Sequence, residues 1–275
     1  MSRDQFRTKL RDLSEKGLSR QLNVLGSGTG PVVSYQGRPV ILLSSNDYLG
    51  LAVHPAVIQA AVRATERYGS GAGASRLICG TLPPHAALES ALASFKGTEA
   101  ALLFSSGYLA NLGAIPALSE RRGLILADRL CHASLIDGCR LSGADLRVYR
   151  HCDSNHVESL LKRRPAGRPT LIVTDGLFSM EGDVAPLAEL ASLAKRYDAT
   201  LYVDDAHGTG VMGSTGRGTL EALEVEHEIP FHMGTLGKAL GSSGAYIVGP
   251  RELIHYLINT ARPFIFTTAP PPAAA

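Results

Sequence analysis

Three residues have types and sequence surroundings that suit catalysis: Lys238 and, 34 and 33 positions before it, Asp204 and Asp205. The lysine lies in Gly234-Thr-Leu-Gly-Lys-Ala-Leu-Gly241, where small neighbours let its amine approach a carbonyl and form a Schiff base. The aspartates follow the apolar run 200–203, so one carboxylate could face a protonated ring nitrogen. Taken singly, a solvated lysine in a turn or a helix-capping aspartate explains each motif. Together they predict a pyridoxal phosphate site, because that cofactor needs both partners.

A candidate for binding phosphate follows another apolar run. Ser105-Ser-Gly-Tyr108 separates the predicted strand 101–104 from a helical stretch, so the N–H groups of Gly107 and Tyr108 would point out of a helix N-terminus. Such a terminus attracts anions. A simple helix cap formed by Ser105 or Ser106 is the competing interpretation. The glycine-rich stretch 69–76 follows no predicted strand, so it lacks the context of a dinucleotide-binding turn.

Three more polar side chains each come just after a predicted strand. His132 could stack on a flat ring, although a lone histidine at a helix start is also a common cap. Ser179 and His207 could each donate a hydrogen bond to a phenolic oxygen or to the lysine. Parallel strands end at one edge of a sheet, so these residues and Lys238 are expected to gather there.

The order of elements predicts an α/β fold with a mostly parallel sheet covered by helices on both faces. Short apolar runs, typical of strands buried on both sides, alternate with longer stretches of helical periodicity. The predicted strands are 101–104, 123–127, 146–149, 170–174, 200–203, 232–234 and 245–248. The predicted helices are 3–22, 84–95, 109–119, 133–141, 156–163, 186–197 and 250–260.

Composition excludes several classes of protein. The 275 residues carry a net charge of +2 with dispersed Lys and Arg, which argues against a nucleic-acid surface. No apolar run reaches the roughly 18 residues of a membrane span, and the charged N-terminus does not resemble a secretory signal. A cytoplasmic protein without a membrane partner is therefore expected. The four cysteines form no Cys-x-x-Cys pair, and the cluster 151–156 is interpreted as a polar turn, so no metal site is predicted.

Seven ordered motifs between Leu43 and Thr268 resemble the α-oxoamine synthases, a family of fold type I pyridoxal phosphate enzymes. The motifs are Ser44-Ser-Asn-Asp-Tyr-Leu-Gly-Leu51, Gly71-Ala-Gly-Ala-Ser-Arg-Leu-Ile-Cys-Gly-Thr81, Ser106-Gly-Tyr108, Cys131-His-Ala-Ser134, Phe178-Ser-Met-Glu-Gly-Asp183, Val203-Asp-Asp-Ala-His-Gly-Thr-Gly210 and Gly234-Thr-Leu-Gly-Lys238. The resemblance implies an aspartate-aminotransferase-like large domain. It also implies a transferase reaction in which an amino acid condenses with an acyl thioester and loses carbon dioxide.

The resemblance further implies a role for each matched residue. Lys238 would hold the cofactor, Asp204 would pair with its pyridine nitrogen, and His132 would stack on its ring. Ser179 and His207 would contact the side of the ring that carries the oxygen. The implied phosphate ligands are Gly107, Tyr108, Thr235 and, from the partner subunit of a homodimer, Thr267 and Thr268. The residue implied to lie near the substrate is Asn46.

Two branches of the family match different motifs of this chain. The segments 45–51 and 204–210 resemble the biotin-biosynthesis branch, which joins L-alanine to a pimeloyl thioester of coenzyme A or of a carrier protein. The segments 76–81 and 234–241 resemble the branch that uses glycine. The first branch is favoured. Alanine and glycine differ by one methyl group, and the shape of a pocket rather than a short motif selects between them.

The resemblance predicts three segments. They are an N-terminal helix and lead-in at 1–42, a cofactor-binding large domain at 43–260, and the start of a further domain at 261–275. Relatives continue into a domain whose arginine binds the substrate carboxylate, and a bidentate arginine orients such a group well. Because the sequence stops at residue 275, weak substrate binding is expected. A cofactor-binding dimer module with impaired catalysis is the alternative.

Overall fold

The computed structural model describes all residues Met1–Ala275 and divides them into two compact units, Met1–Ser45 and Asn46–Ala275. The first unit contains helix α1 (Arg3–Glu15) and an antiparallel hairpin of β1 (Val32–Tyr35) and β2 (Arg38–Ile41). The helix is shorter than the predicted 3–22, because Gly17 adopts a left-handed conformation with φ of 66° just after its end. The assignment of 261–275 to a further domain stays a prediction.

The second unit contains seven strands and nine α-helices, together with a 3₁₀ helix (Leu51–Val53) and a π-helix (Arg76–Gly80). The strands are β3 (Ala100–Phe104), β4 (Leu124–Asp128), β5 (Asp145–Tyr149), β6 (Thr170–Asp175), β7 (Thr200–Asp204), β8 (His232–Thr235) and β9 (Ala245–Gly249). The helices are α2 (Pro55–Tyr68), α3 (Pro83–Lys96), α4 (Gly107–Leu118), α5 (Ala133–Ser142), α6 (Ser154–Lys162), α7 (Leu187–Arg196), α8 (Thr219–Ala222), α9 (Arg251–Thr260) and α10 (Arg262–Ile265). None of the helices is long and apolar enough to cross a lipid bilayer.

The seven strands form one sheet in the order β3-β9-β8-β7-β6-β4-β5. The pairs from β8 through β7, β6 and β4 to β5 are parallel, whereas β9 runs antiparallel to both of its neighbours. Strand β3 therefore points in the same direction as the parallel strands. The predicted mostly parallel sheet is confirmed, and the strands β3, β4, β6, β7 and β8 all end at one edge.

The core lies on both faces of this sheet because side chains alternate along each strand. In β4, Ile125 and Ala127 pack into one buried cluster, whereas Leu124 and Leu126 pack into another. The first cluster also contains residues of α4, α5 and α9, and the second contains residues of α6 and α7. Burial on both faces explains why the strands read as continuous apolar runs in the sequence.

Candidate active site

Lys238 begins the turn 238–241 within the loop that joins β8 to β9, at the edge where the parallel strands end. The backbone N–H of Gly241 donates to the Lys238 carbonyl at 2.9 Å. Gly241 has a φ of 66°, and a Cβ there would lie 2.3 Å from the backbone nitrogen of Ala52, so the turn requires glycine. This turn projects the half-buried Lys238 side chain towards His207, whose Nε2 lies 2.7 Å from the lysine Nζ. Burial lowers the pKa of Lys238, while Asp204 and Asp175 act in the opposite direction.

His207 connects Lys238 to two further side chains. Its Nδ1 lies 2.7 Å from the Tyr48 hydroxyl, and that hydroxyl donates to Asn46 Oδ1 at 3.3 Å. Burial, followed by the positive charges of Lys238 and His132, lowers the pKa of His207 to about 4. His207 is therefore neutral at neutral pH. With Tyr48 donating to Asn46, the Nδ1–H of His207 donates to Tyr48 and its Nε2 accepts from Lys238.

Asp204 and Asp175 end the adjacent strands β7 and β6 and are paired in register. Asp204 is 4% exposed and accepts hydrogen bonds from Asn111 Nδ2 at 2.8 Å and from the backbone N–H of Ala206 at 3.0 Å. Burial raises the pKa of both carboxyls, and their mutual repulsion raises that of Asp175 further. Asp204 has more donors than Asp175, so it is the better stabilised anion of the pair.

His132 begins the loop-to-helix junction after β4. Its backbone N–H donates to Asp175 Oδ2 at 2.9 Å, and its Nδ1 accepts from the backbone N–H of Ser134 at 3.3 Å. The histidine is thus a helix cap, as the simpler interpretation of the sequence holds. Its side chain is also exposed at the same edge, and its charge contributes to the lowered pKa of His207. Capping and a role at this edge are therefore compatible.

The N-terminus of α4 approaches the end of β8 closely. A Cβ at Gly107 would lie 2.9 Å from Thr235 Cγ2, so only glycine lets the helix end come this near to the threonine. Ser106 caps the helix, because its hydroxyl accepts from the backbone N–H of Leu109 at 3.2 Å. The N–H groups of Gly107 and Tyr108, in the first turn, have no carbonyl one turn earlier to bond. Ser106 therefore caps α4 while the N–H groups of Gly107 and Tyr108 remain available to a ligand.

Three predicted site residues lie outside this cluster of hydrogen bonds. Ser179 is exposed in the turn after β6, and the structure gives it no hydrogen bond to Lys238 or His207. Thr268 forms an isolated antiparallel bridge with Ser75, and Thr267 precedes it. Nothing within one chain brings these two threonines to Gly107. The roles assigned to all three residues stay predictions.

The structure also adds three residues that the sequence reasoning did not name as site residues. Tyr48 lies within the quoted segment 44–51 but was not assigned a role there. Asp175 ends an apolar run as Asp204 does, and that shared position was the available signal. Asn111 lies inside α4 and also accepts a hydrogen bond from Tyr202 at 2.9 Å, a contact that no local pattern could indicate.

Comparison with known proteins identifies the family. The sequence signature of the aminotransferase class I and II family matches residues 38–275. This chain belongs to that family. An 8-amino-7-oxononanoate synthase of Geobacter sulfurreducens is 56% identical over 266 residues, which cover 96% of this chain and 68% of that protein. Another, of Anaeromyxobacter sp. strain K, is 54% identical over 273 residues, which cover 99% of this chain and 68% of that protein.

A solved structure gives the same result for the fold. Serine palmitoyltransferase from S. paucimobilis, with a bound PLP-myriocin aldimine, superposes with a TM-score of 0.91 at 35% identity. The superposition covers 98% of this chain and 69% of that chain. The predicted fold type I architecture and the resemblance to the α-oxoamine synthases are confirmed by these relatives, and this chain spans about two thirds of their length.

Proposed function

We propose that this chain is a pyridoxal phosphate-dependent acyltransferase. The reaction joins L-alanine to a pimeloyl thioester, with loss of carbon dioxide, and gives 8-amino-7-oxononanoate for biotin synthesis. The observation that best supports this proposal is that the Lys238 amine lies 2.7 Å from neutral His207. At the same edge of the sheet, the Asp204 carboxyl is buried and hydrogen-bonded. The relatives that are 54% and 56% identical over nearly the whole chain support the choice of reaction.

The residues present at this edge fit pyridoxal phosphate. The amine of Lys238 suits an aldehyde, and the doubly hydrogen-bonded carboxylate of Asp204 suits a protonated pyridine nitrogen. The unbonded N–H groups of Gly107 and Tyr108 suit a phosphate, and Thr235, whose hydroxyl donates to the Ala206 carbonyl at 3.4 Å, lies next to Gly107. A donor set that combines amine, carboxylate and helix N-terminus matches the three chemically different parts of this cofactor.

When bound, pyridoxal phosphate supplies an electron-withdrawing ring that stabilises negative charge at the α-carbon of an amino acid. Lys238 would hold the cofactor through its amine and would also be the base that accepts the α-proton. Burial lowers its pKa, which increases the fraction of amine that can accept this proton. His207 orients the lysine, because its neutral Nε2 accepts a hydrogen bond from Nζ at 2.7 Å. Asp204 keeps the ring nitrogen protonated through its negative charge.

Four residues receive their proposed roles from the family resemblance. We propose that Asn46 lies beside the bound amino acid, since Tyr48 links it to His207 within the same group of hydrogen bonds. Ser179 is proposed to contact the ring oxygen of the cofactor. Thr267 and Thr268 are proposed to reach the phosphate of the partner subunit in a homodimer.

Glycine is the second candidate substrate, in a 2-amino-3-ketobutyrate coenzyme A ligase reaction. The observation that favours it is the match of segments 76–81 and 234–241 to the glycine-using branch. A cofactor-binding module with impaired catalysis is the third candidate. These candidates differ in which α-proton, if any, the protein removes.

Borohydride reduction followed by peptide mapping tests the cofactor site. After incubation with pyridoxal phosphate, the fixed label should lie on Lys238 and be absent from the Lys238→Met variant. Lys195→Met, at an exposed position of α7, is the matched control and should label normally. A label spread over surface lysines would contradict the proposed site.

Hydrogen–deuterium exchange of the amino acid tests the reaction. In deuterated water with a pimeloyl thioester present, the α-proton of L-alanine should exchange faster than one α-proton of glycine. Faster exchange with glycine would support the second candidate instead. Labelling of Lys238 without exchange of either substrate would leave the cofactor-binding module as the function.

A further inference from the structure

A second group of polar side chains lies outside the Lys238 cluster, where the turns after β4, β5 and β6 meet. His151 is at its centre. Its Nδ1 lies 2.9 Å from Asp128 Oδ1, and its Nε2 lies 2.9 Å from Asp183 Oδ2. The imidazole also packs edge-on against the ring of Phe178, with centroids 4.5 Å apart. Each ring nitrogen of His151 therefore faces a carboxylate, one at the end of β4 and the other in the turn after β6.

The two contacts fix the charge of His151. An ionised carboxylate only accepts hydrogen bonds, and neutral imidazole has a single N–H. Asp128 is 1% exposed, and its two oxygens also accept the backbone N–H groups of Leu130 and Cys152, each at 2.8 Å. Two N–H donors are needed to satisfy both carboxylates, and only the imidazolium has two.

The charges around His151 also favour its doubly protonated form. Burial by itself would lower the pKa of His151, but the hydrogen bonds and charges of Asp128 and Asp183 outweigh it and raise the pKa. The other titratable group that faces the ring is Cys152, whose Sγ lies 3.6 Å from Nε2. Burial, Asp128 and Asp183 raise the pKa of Cys152 to about 12, so its thiol stays neutral and adds no charge.

Both carboxylates lie close in sequence to predicted cofactor contacts. Asp128 is the last residue of β4, and the segment that follows it leads to His132. Asp183 closes the turn that contains Ser179, because the backbone N–H of Phe178 donates to the Asp183 carbonyl at 2.9 Å. We infer that His151 is a positively charged clamp that holds the turn 178–183 against the end of β4 and so positions Ser179 and His132. Its effect on cofactor binding rests on the proposed function, whereas its charge does not.

The same group has side chains of the types that bind metal ions. One ligand atom each from Asp128, His151 and Cys152 lie within 4.8 Å of one another. However, both nitrogens of His151 already face carboxylate oxygens, and Cys152 is a neutral thiol rather than the thiolate that binds metals. The imidazolium supplies the positive charge that a metal ion would otherwise bring.

Nitrogen NMR of the cofactor-free protein tests the charge. With ¹⁵N-labelled histidine at neutral pH, both nitrogens of His151 should be protonated, whereas His207 should show a neutral ring. The His151→Gln spectrum assigns the signal. A single protonated nitrogen on His151 at neutral pH would overturn the clamp, and so would stoichiometric Zn²⁺ binding that is lost in His151→Gln.

Amide hydrogen exchange and cofactor binding test the positioning role. In His151→Gln the amide oxygen must face one of the carboxylates, so exchange in 178–183 should speed up and the Kd for pyridoxal phosphate should rise about tenfold. Adding Asp183→Asn supplies a donor to that oxygen and should restore much of both. His255→Gln, at an exposed position of α9, is the control and should change neither.

The two proposals can fail separately in these experiments. Unchanged loop exchange in a folded His151→Gln protein would overturn the positioning role, whatever the cofactor does. If the wild-type protein failed to bind pyridoxal phosphate while the loop exchange changed as expected, the clamp would stand and the proposed function would fall. In the wild type, cofactor affinity should also decrease as pH rises through the pKa of His151, and this dependence should vanish in His151→Gln.

Discussion

Two consecutive aspartates, Asp204 and Asp205, lie near two lysines whose surroundings differ strongly. Asp205 Oδ2 lies 3.5 Å from Lys96 Nζ, and both side chains are almost completely buried. Lys96 also donates to Thr209 Oγ1 at 3.0 Å and to the carbonyl of Arg217. At the other site, half-buried Lys238 contacts neutral His207, and Asp204 is hydrogen-bonded to other groups. One lysine is enclosed within an ion pair, and the other is presented at the edge of the sheet.

This difference explains why one lysine stabilises the structure whereas the other is available for a reaction. All three ammonium protons of Lys96 have acceptors, and Asp205 accepts from the backbone N–H and the hydroxyl of Thr219. Burial lowers the pKa of Lys96 and raises that of Asp205, while their mutual attraction opposes both shifts. Such a saturated pair stabilises the fold but cannot bind anything else. Lys238 contacts a neutral base rather than a carboxylate, so its amine is not held in an ion pair and can react.

The largest effect should come from removing the reactive lysine. Lys238→Met should reduce α-proton exchange by about 10⁴-fold or more, because no other group replaces the amine. Its free energy of unfolding should change little, since the lysine is not part of a saturated ion pair. Exchange by NMR and denaturant unfolding measure the two quantities. Activity within tenfold of the wild type would contradict the assignment of Lys238.

The opposite pattern is expected at the enclosed lysine. Lys96→Met should lower the free energy of unfolding by about 3–5 kcal/mol, because it leaves the Asp205 charge buried and unpaired. The exposed Lys195→Met control should stay within about 0.5 kcal/mol of the wild type. Urea denaturation compares the two variants. Equal stability of both would show that the ion pair contributes nothing to the fold.

A smaller effect is expected from neutralising the acid on the reactive side. Asp204→Asn keeps a side chain of the same shape but removes the negative charge, so activity should fall about 10²-fold with the fold intact. Steady-state kinetics should place the loss in kcat rather than in KM. A loss confined to KM would indicate that Asp204 only helps to bind the substrate.

Tyr48→Phe tests whether the orientation of His207 matters for activity. The change removes the hydroxyl that lies 2.7 Å from Nδ1, so the orientation and the tautomer of the ring are no longer fixed. Activity should fall about tenfold, and the pH profile of kcat should change shape. A reduced rate with an unchanged profile would mean that Tyr48 only packs against its neighbours.

The smallest effect concerns the pH dependence of stability. The pKa of His207 is lowered from 6.5 to about 4 in the folded protein, so the unfolded chain takes up this proton first as pH falls. The contribution of His207 to stability is therefore present above pH 6.5 and is lost as pH falls towards 4. His207→Asn should be less sensitive to pH across this window. Parallel stability curves for the two proteins would contradict the lowered pKa.

The sequence predicted the sheet well because each strand is a short apolar run followed by polar or glycine residues. It overestimated α1, where the apolar pattern continues past Glu15 although Gly17 ends the helix. It missed α2, whose Pro55 at the first turn after the capping His54 was a usable start signal. Ser179 lies exposed in the turn closed by Asp183, and its expected contact with the cofactor or the lysine stays a prediction.

The sequence by itself determined which residues follow the strands and therefore reach one edge of the sheet. Only the tertiary structure decided which of the two aspartates faces which lysine, since neighbouring residues contact different helices. Tyr48 and His207 are 159 positions apart, and only the folded chain brings them within hydrogen-bonding distance. The sequence also could not predict the charges of His207, Asp175 and His151. The pKa of each group depends on its burial and on the charged groups that folding brings near it.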